Sequence, residues 1–484
     1  MHVMNRNSTC WAHWARWSRG MALGVAALVL AGCSSVKPWI NEPLAPEDQS
    51  IPVRKSERDP SILVAVTLSG GGARAAAFGF GVLTEMQETR FVWNGSPTTL
   101  LDATDLVSGV SGGSIVAAYF AAHGIEGLPR FERDFLRQNF QNSLITQALR
   151  PGSLIDLTSP WLGRTHLLER RLDELYGGLT FGDVERRPRH PQLFITATDM
   201  SLGTGFEFTW EQFSLICSDL RKVPLSFAVA SSSAVPLLLS PMTLKNYAHQ
   251  CPERRITSDA STRAATGDYR ARLYRAHELS YTDAQRKPYI HLVDGGLADN
   301  LGVQRLLDRA LAGGGLRRTF SEVGIPPRTI RKLVLITVNA ERDPSVDINQ
   351  SDKVPNMAQV VDALLFGSGA RATRETQEFL RDITRQWQQS LAAGSLGSAD
   401  VFAPDAEIHV IPVNLRDAPD DVARRRLLQV PTALSITSEE VTDLIDAGGS
   451  VLRHSPEFRA LVQSLRGPAQ QAPHAPPAGL QAKE

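Results

Sequence analysis

Short apolar runs of β-type composition alternate with longer helical stretches between residues 62 and 413. Ile62 to Leu68 (ILVAVTL) has the unbroken apolar character of a strand buried on both faces. A glycine turn follows it, then an alanine-rich helix from about Ala73. Asp105 to Gly109 repeats the pattern, with a glycine turn and a helix from about Ser114. Gln192 to Thr198 (QLFITAT), Ile290 to Val293, Lys332 to Val338 (KLVLITV) and Ile408 to Val413 are the other strand candidates. A long amphipathic helical region lies between Asn356 and Gln389. Buried strands each followed by a helix predict an α/β fold, a three-layer α/β/α sandwich around a mainly parallel sheet. Residues 241–290 break the rhythm and read as an insertion or a flap over a site.

The two ends of the chain stand apart. Arg6, Arg16 and Arg19 precede an apolar run, Met21 to Leu30, that is shorter than the roughly 20 residues a bilayer span needs. Residues 1–32 therefore read as a signal peptide. The run ends in Leu30-Ala31-Gly32-Cys33, which resembles the bacterial lipobox. That resemblance implies cleavage before Cys33 and a diacylglycerol on its sulfur; an ordinary signal peptide or a short anchor is the competing reading. Ser34 follows the cysteine where an aspartate would signal inner-membrane retention, so the resemblance favours the outer membrane of the cell envelope. Residues 33–60 read as the lipidated cysteine and a flexible tether, 61–466 as the folded domain, and 467–484 as a disordered proline- and glutamine-rich tail.

Export changes the cysteine reading. Of four cysteines, Cys10 leaves with the signal peptide and Cys33 carries lipid, so Cys217 and Cys251 remain. They could form a disulfide or stay as two isolated buried thiols. Lysine plus arginine and aspartate plus glutamate number 51 each over 484 residues, and no basic stripe is present. Nucleic acid is therefore not an expected partner. No His, Cys, Asp and Glu cluster has metal-ligand spacing, so neither a metal nor another cofactor is expected. Protein partners are not indicated either way.

Three glycine-containing segments carry candidate chemistry. Ser69-Gly70-Gly71-Gly72-Ala73-Arg74 lies between a strand and a helix, where backbone N–H groups can approach an anion. It is neither a Walker loop nor a dinucleotide fingerprint. Gly109-Val110-Ser111-Gly112-Gly113 is a GxSxG arrangement in strand–turn–helix context, which exposes a serine hydroxyl at a helix N-terminus. Asp294-Gly295-Gly296 ends another strand, either as a turn former or as a reactive carboxylate.

Taken in order, these segments resemble the patatin-like phospholipases. Ala230-Ser231-Ser232-Ser233-Ala234-Val235-Pro236 is similar to the family's serine-containing segment between nucleophile and base, and the resemblance covers roughly residues 62–305. It departs from the family at Ala75, where a glycine is common, and at Asn300-Leu301-Gly302, where a proline commonly follows the asparagine. It implies a lipid acyl hydrolase with a Ser111–Asp294 dyad, an oxyanion hole at Gly70, Gly71 and Gly72, and membrane lipid as both substrate and anchor. Arg74 is a substrate-binding candidate on the same basis, with a solvated first-turn residue as the alternative. A Ser–His–Asp esterase using His409 is a weaker alternative, because His409 sits inside a strand-like run. His291 reads as a packed strand residue and Asp199 as a turn or cap residue. A non-catalytic envelope lipoprotein that binds lipid or protein is the competing class, and a serine peptidase a further one.

Overall fold

A computed structural model describes residues 37–45, 58–142, 163–251, 268–342, 352–356, 360, 363, 368–393 and 400–466. The expected signal peptide (1–32), Cys33 and the expected C-terminal tail (467–484) lie outside them.

The main sheet is built from β1 (Ile62–Leu68), β4 (Thr104–Val110), β5 (Gln192–Asp199), β6 (Thr204–Glu207), β7 (Met242–Lys245), β8 (Tyr289–Val293), β9 (Ile330–Asn339) and β10 (Phe402–Asn414). Its order is β10-β9-β1-β4-β5-β8-β7, with β6 paired to β5. Pairing from β10 through β5 is parallel, and β5–β8, β7–β8 and β5–β6 are antiparallel. The sheet is thus mainly parallel, as the apolar runs predict, and carries an antiparallel edge that they did not indicate. A separate hairpin, β2 (Arg90–Trp93) and β3 (Ser96–Thr99), closes through Asn94-Gly95, both at positive φ (48° and 82°).

Helices cover both faces. The larger layer includes α1 (Gly72–Glu88), α2 (Gly112–Gly127), α3 (Arg164–Tyr176) and α4 (Leu225–Ser232). The opposite face is covered by α5 (Tyr269–Tyr281), α6 (Gln304–Ala312) and α7 (Ser368–Ala392), while α8 (Ser438–His454) returns to pack on α1. Alternation along β9 separates the two cores. Val334, Ile336 and Val338 join the large core with α1 and α2 residues, and Leu335 packs against Leu307, Leu380 and Ile383. That gives the α/β/α layering directly.

Two expectations need adjustment. The 241–290 stretch is not a separate flap over its whole length: it contributes the edge strand β7 and helix α5, with 252–267 outside the described residues. The long amphipathic region expected between Asn356 and Gln389 holds helix α7, and residues 357–359, 361–362 and 364–367 of it lie outside the described residues. The expected tether is not free throughout. Residues 37–45 dock on the body, where Leu44 donates to the Cys217 carbonyl at 2.9 Å and Asp219 donates to the Glu42 carbonyl at 3.0 Å. Cys217 and Cys251 are joined as a disulfide beneath this segment, with Cα atoms 5.8 Å apart, and share a small core with Leu44 and Tyr247.

Candidate active site

Parallel pairing sets two strand ends side by side. Leu68 of β1 pairs with Gly109 of β4, so the glycine loop and the Ser111 turn leave the sheet together. The two loops then touch backbone to backbone. A Cβ on Gly112 would lie 2.0 Å from the Gly72 carbonyl oxygen, which no side chain could survive. Gly72 itself has φ 63°. Glycine is required at this crossing for contact as much as for conformation.

Ser111 occupies φ 47°, ψ −121°, a strained conformation for a residue with a side chain. The strain is held from outside the turn. Its N–H donates to Ser232 Oγ at 2.8 Å, and Ser232 Oγ donates in turn to the Thr196 carbonyl at 2.6 Å. Its own hydroxyl donates to Asp294 Oδ2 at 2.8 Å, across 183 positions of sequence.

Asp294 follows β8, which runs against β5 with Thr198 opposite Val293. That reversal carries its carboxylate to the end of the sheet where Ser111 stands. The Asp294 N–H donates to the Ala234 carbonyl at 3.0 Å, and Thr198 Oγ1 donates to the Asp294 carbonyl at 2.8 Å. Oδ1 accepts from the Gly296 N–H at 2.8 Å. Burial pushes the Asp294 carboxyl up to about 6, against the lowering effect of the Gly296 and Ser111 hydrogen bonds. The segment from Ser232 to Ala234 therefore grips both partners, the serine through a hydroxyl and the aspartate through a carbonyl. The sequence showed the segment as a motif but not this role.

The glycine loop is less uniform than its sequence suggests. The Gly70 N–H donates to the Asn300 carbonyl at 3.1 Å, so it is already used within the fold. Gly70 stays beside the serine, since a Cβ there would lie 3.4 Å from Ser111 Cβ and 2.5 Å from Asn300 Oδ1. Asn300 thus fills the space over Gly70, and Asp299 shapes its turn by accepting from the N–H groups of Leu301, Gly302 and Gln304.

Arg74 departs from both expectations. It is 2% exposed, neither solvated nor presented to a ligand. Its guanidinium donates to the carbonyls of Ala340 (2.9 Å) and Val430, and burial lowers its pKa to about 10. It ties the loops after β9 and before α8 beneath the glycine turn.

His409 lies far from the serine. His409 is opposite Val334, which is opposite Val64, which is opposite Thr104 at the start of β4. Three strand spacings and the length of β4 put it roughly 25 Å from Ser111. Glu407 Oε2 holds its Nε2 at 2.9 Å. His291 is exposed rather than packed, with Nδ1 3.0 Å from Thr243 Oγ1. Asp199 caps its turn by accepting from the Ser201 and Leu202 N–H groups, and its other oxygen takes Lys287 and Tyr281.

A family model described as patatin-like phospholipase matches residues 66–307, half of the chain. The chain belongs to that family. The match spans the glycine loop, the serine turn, the Ser232 segment and Asp294, so all four blocks fall inside it. Among solved structures, the chain is similar to human GIVD cytosolic phospholipase A2, at 12% identity and a TM-score of 0.40, over 85% of this chain. It covers 63% of that human chain, less than two thirds. VipD from Legionella pneumophila is similar at 13% identity and a TM-score of 0.32, over 89% of this chain and 71% of that one. No curated protein sequence matches.

Proposed function

We propose that this patatin-like protein is a lipid acyl hydrolase in which Ser111 is the nucleophile and Asp294 its base. The observation that carries the reading is the 2.8 Å hydrogen bond from Ser111 Oγ to a buried carboxylate whose pKa is raised to about 6. An ordinary aspartate, near ~3.9, accepts a hydroxyl proton poorly, and burial narrows that gap.

In the proposed reaction Ser111 Oγ attacks the ester carbonyl carbon while its proton passes to Asp294 Oδ2. The tetrahedral intermediate collapses as the C–O bond to the leaving alcohol breaks, and the proton goes from Asp294 to that alcohol. Water then attacks the acyl-serine, again giving its proton to Asp294, and releases the fatty acid with Ser111 restored. The oxyanion would be met by the backbone N–H groups of Gly71 and Gly72 rather than Gly70, whose N–H is committed to Asn300. Gly112, first in α2, is a further donor candidate at a helix N-terminus.

The lipobox-like Leu30 to Cys33 supports a lipid-anchored envelope protein acting on phospholipids or related acyl esters. The test is turnover of a chain-length series of p-nitrophenyl esters and a diacyl phospholipid by the mature protein and its Ser111→Ala variant. Hydrolysis lost in the variant supports a serine acyl hydrolase. No turnover by folded wild-type protein favours the non-catalytic lipoprotein.

A further inference from the structure

Residues 37–45, shortly downstream of Cys33, are docked on the folded body. Asn41 Nδ2 donates to the Lys245 carbonyl and Asn41 Oδ1 accepts the Lys245 N–H, both at 2.9 Å, so the strap is stitched to edge strand β7. Tyr247 Oη donates to the Asn41 carbonyl at 3.0 Å. Trp39 lies against Tyr289 with ring centroids 5.3 Å apart, and Lys245 Nζ sits 5.2 Å over the Trp39 ring.

Topology fixes which end of the sheet this is. Asp199, last in β5, is opposite Leu292, and Tyr289 lies three residues further out, opposite Lys245. Ser111 stands one residue past Val110, which is opposite Thr196. The aromatic cluster and the serine therefore occupy the same end, with the cluster projecting beyond it. The connection from Ala234, whose carbonyl holds the Asp294 N–H, to β7 exposes two adjacent leucines, Leu237 (68%) and Leu238 (65%). Leu237 has φ 71°, and Arg164 holds its carbonyl at 2.9 Å, so this apolar tip is built rather than frayed.

We propose that this end, bearing Trp39, Tyr289, Leu237 and Leu238, is a membrane-docking face seated on the bilayer that holds the Cys33 lipid. Cys33 and Trp39 are six positions apart, a reach of about 20 Å even fully extended. A strap stitched down from Trp39 onward cannot let the domain turn this end far from its own anchor. Trp and Tyr beside a lysine suit the headgroup layer, and exposed leucines suit the acyl boundary. Ser111 is thereby presented to the lipid surface. The proposal rests on the reading of Cys33 as lipid-bearing and of Ser111 as nucleophile.

The test uses the full-length lipoprotein carrying Ser111→Ala, so that docking is read without hydrolysis. An environment-sensitive fluorophore is placed through Leu238→Cys, or through Val92→Cys in the β2–β3 hairpin at the opposite end. Vesicles of phosphatidylethanolamine and phosphatidylglycerol, with and without dibrominated acyl chains, are then added. The expected result is a blue shift and bromine quenching at Leu238 and neither at Val92. No change at Leu238, or equal change at both sites, overturns the docking face and leaves it to a protein partner. The intact mass of the N-terminal peptide reports lipidation separately, so vesicle capture through Cys33 with a silent Leu238 probe counts against the face alone. In the active protein, Leu237→Asp with Leu238→Asp should lower turnover of vesicle phospholipid about tenfold or more and leave a water-soluble ester unchanged. Equal loss on both substrates counts against docking.

Discussion

The backbone N–H of Ser111 is held at 2.8 Å by the side-chain hydroxyl of Ser232, a residue 121 positions later in the chain. Ser232 is fully buried and is itself fixed by the Thr196 carbonyl, so a strained serine turn is braced by the neighbouring strand through one hydroxyl. Ser232→Ala leaves two buried backbone groups without that partner, at about 1–3 kcal/mol of stability. It should also release the Ser111 hydroxyl from its angle and, if Ser111 is the proposed nucleophile, lower kcat by about 10²-fold with KM little changed. Steady-state kinetics well below the melting temperature make the check. An unchanged kcat with a lowered Tm would reduce Ser232 to packing.

Protonation of Asp294 removes the acceptor for the Ser111 proton. With its pKa raised to about 6 by burial, kcat/KM on a soluble ester should fall on the acid side through that value, by about tenfold per pH unit below it. His409→Ala should leave this limb and the rate largely intact. A folded His409→Ala variant without activity would overturn the dyad.

The same carboxyl links to stability with a definite sign. Its folded pKa lies above the unfolded value, so the native state binds the extra proton between about 4 and 6. The stabilisation is present below that window and is lost as pH rises through it. Asp294→Asn should therefore be inactive yet as stable as wild type or more so at pH 7, by up to roughly 2–3 kcal/mol. Denaturant midpoints at pH 5 and pH 7 test this, and a variant destabilised equally at both would contradict it.

Arg74 is expected to act on folding rather than on substrate. Arg74→Met should lower stability by about 2–4 kcal/mol, because the Ala340 and Val430 carbonyls lose a charged donor. Chemical denaturation reads the effect. A raised KM with an unchanged Tm would restore the substrate-binding role.

The Cys217–Cys251 bridge closes a segment of 34 residues beneath the docked strap. Replacing both by serine should cost about 2–4 kcal/mol and loosen residues 37–45. Hydrogen exchange at Leu44 and Asp219, whose N–H groups cross that contact, would show it. Unaltered protection there would separate the bridge from the strap.

The chemistry-bearing segments were legible because each is local. Ile62–Leu68 followed by three glycines, and Thr104–Val110 followed by Ser111, announce strand, turn and helix within a dozen residues. The β2–β3 hairpin was also legible in principle through Asn94-Gly95, although Ser96–Thr99 offers little apolar signal. β7 was not, because a four-residue edge strand between an exposed loop and α5 has too short a period to read.

Sequence alone determined the alternation of strands and helices, the family resemblance, and Ser111 and Asp294 as the pair to examine. Pattern reports on neighbours in the chain, and those features are written in neighbours. Tertiary structure decided what depends on strand order and on the use of each polar group. The reversal of β8 against β5 brings Asp294 to Ser111. Gly70 donates to Asn300, which removes one of three equivalent-looking donors. Arg74 turns inward because two backbone carbonyls, far away in sequence, need a partner once water is excluded.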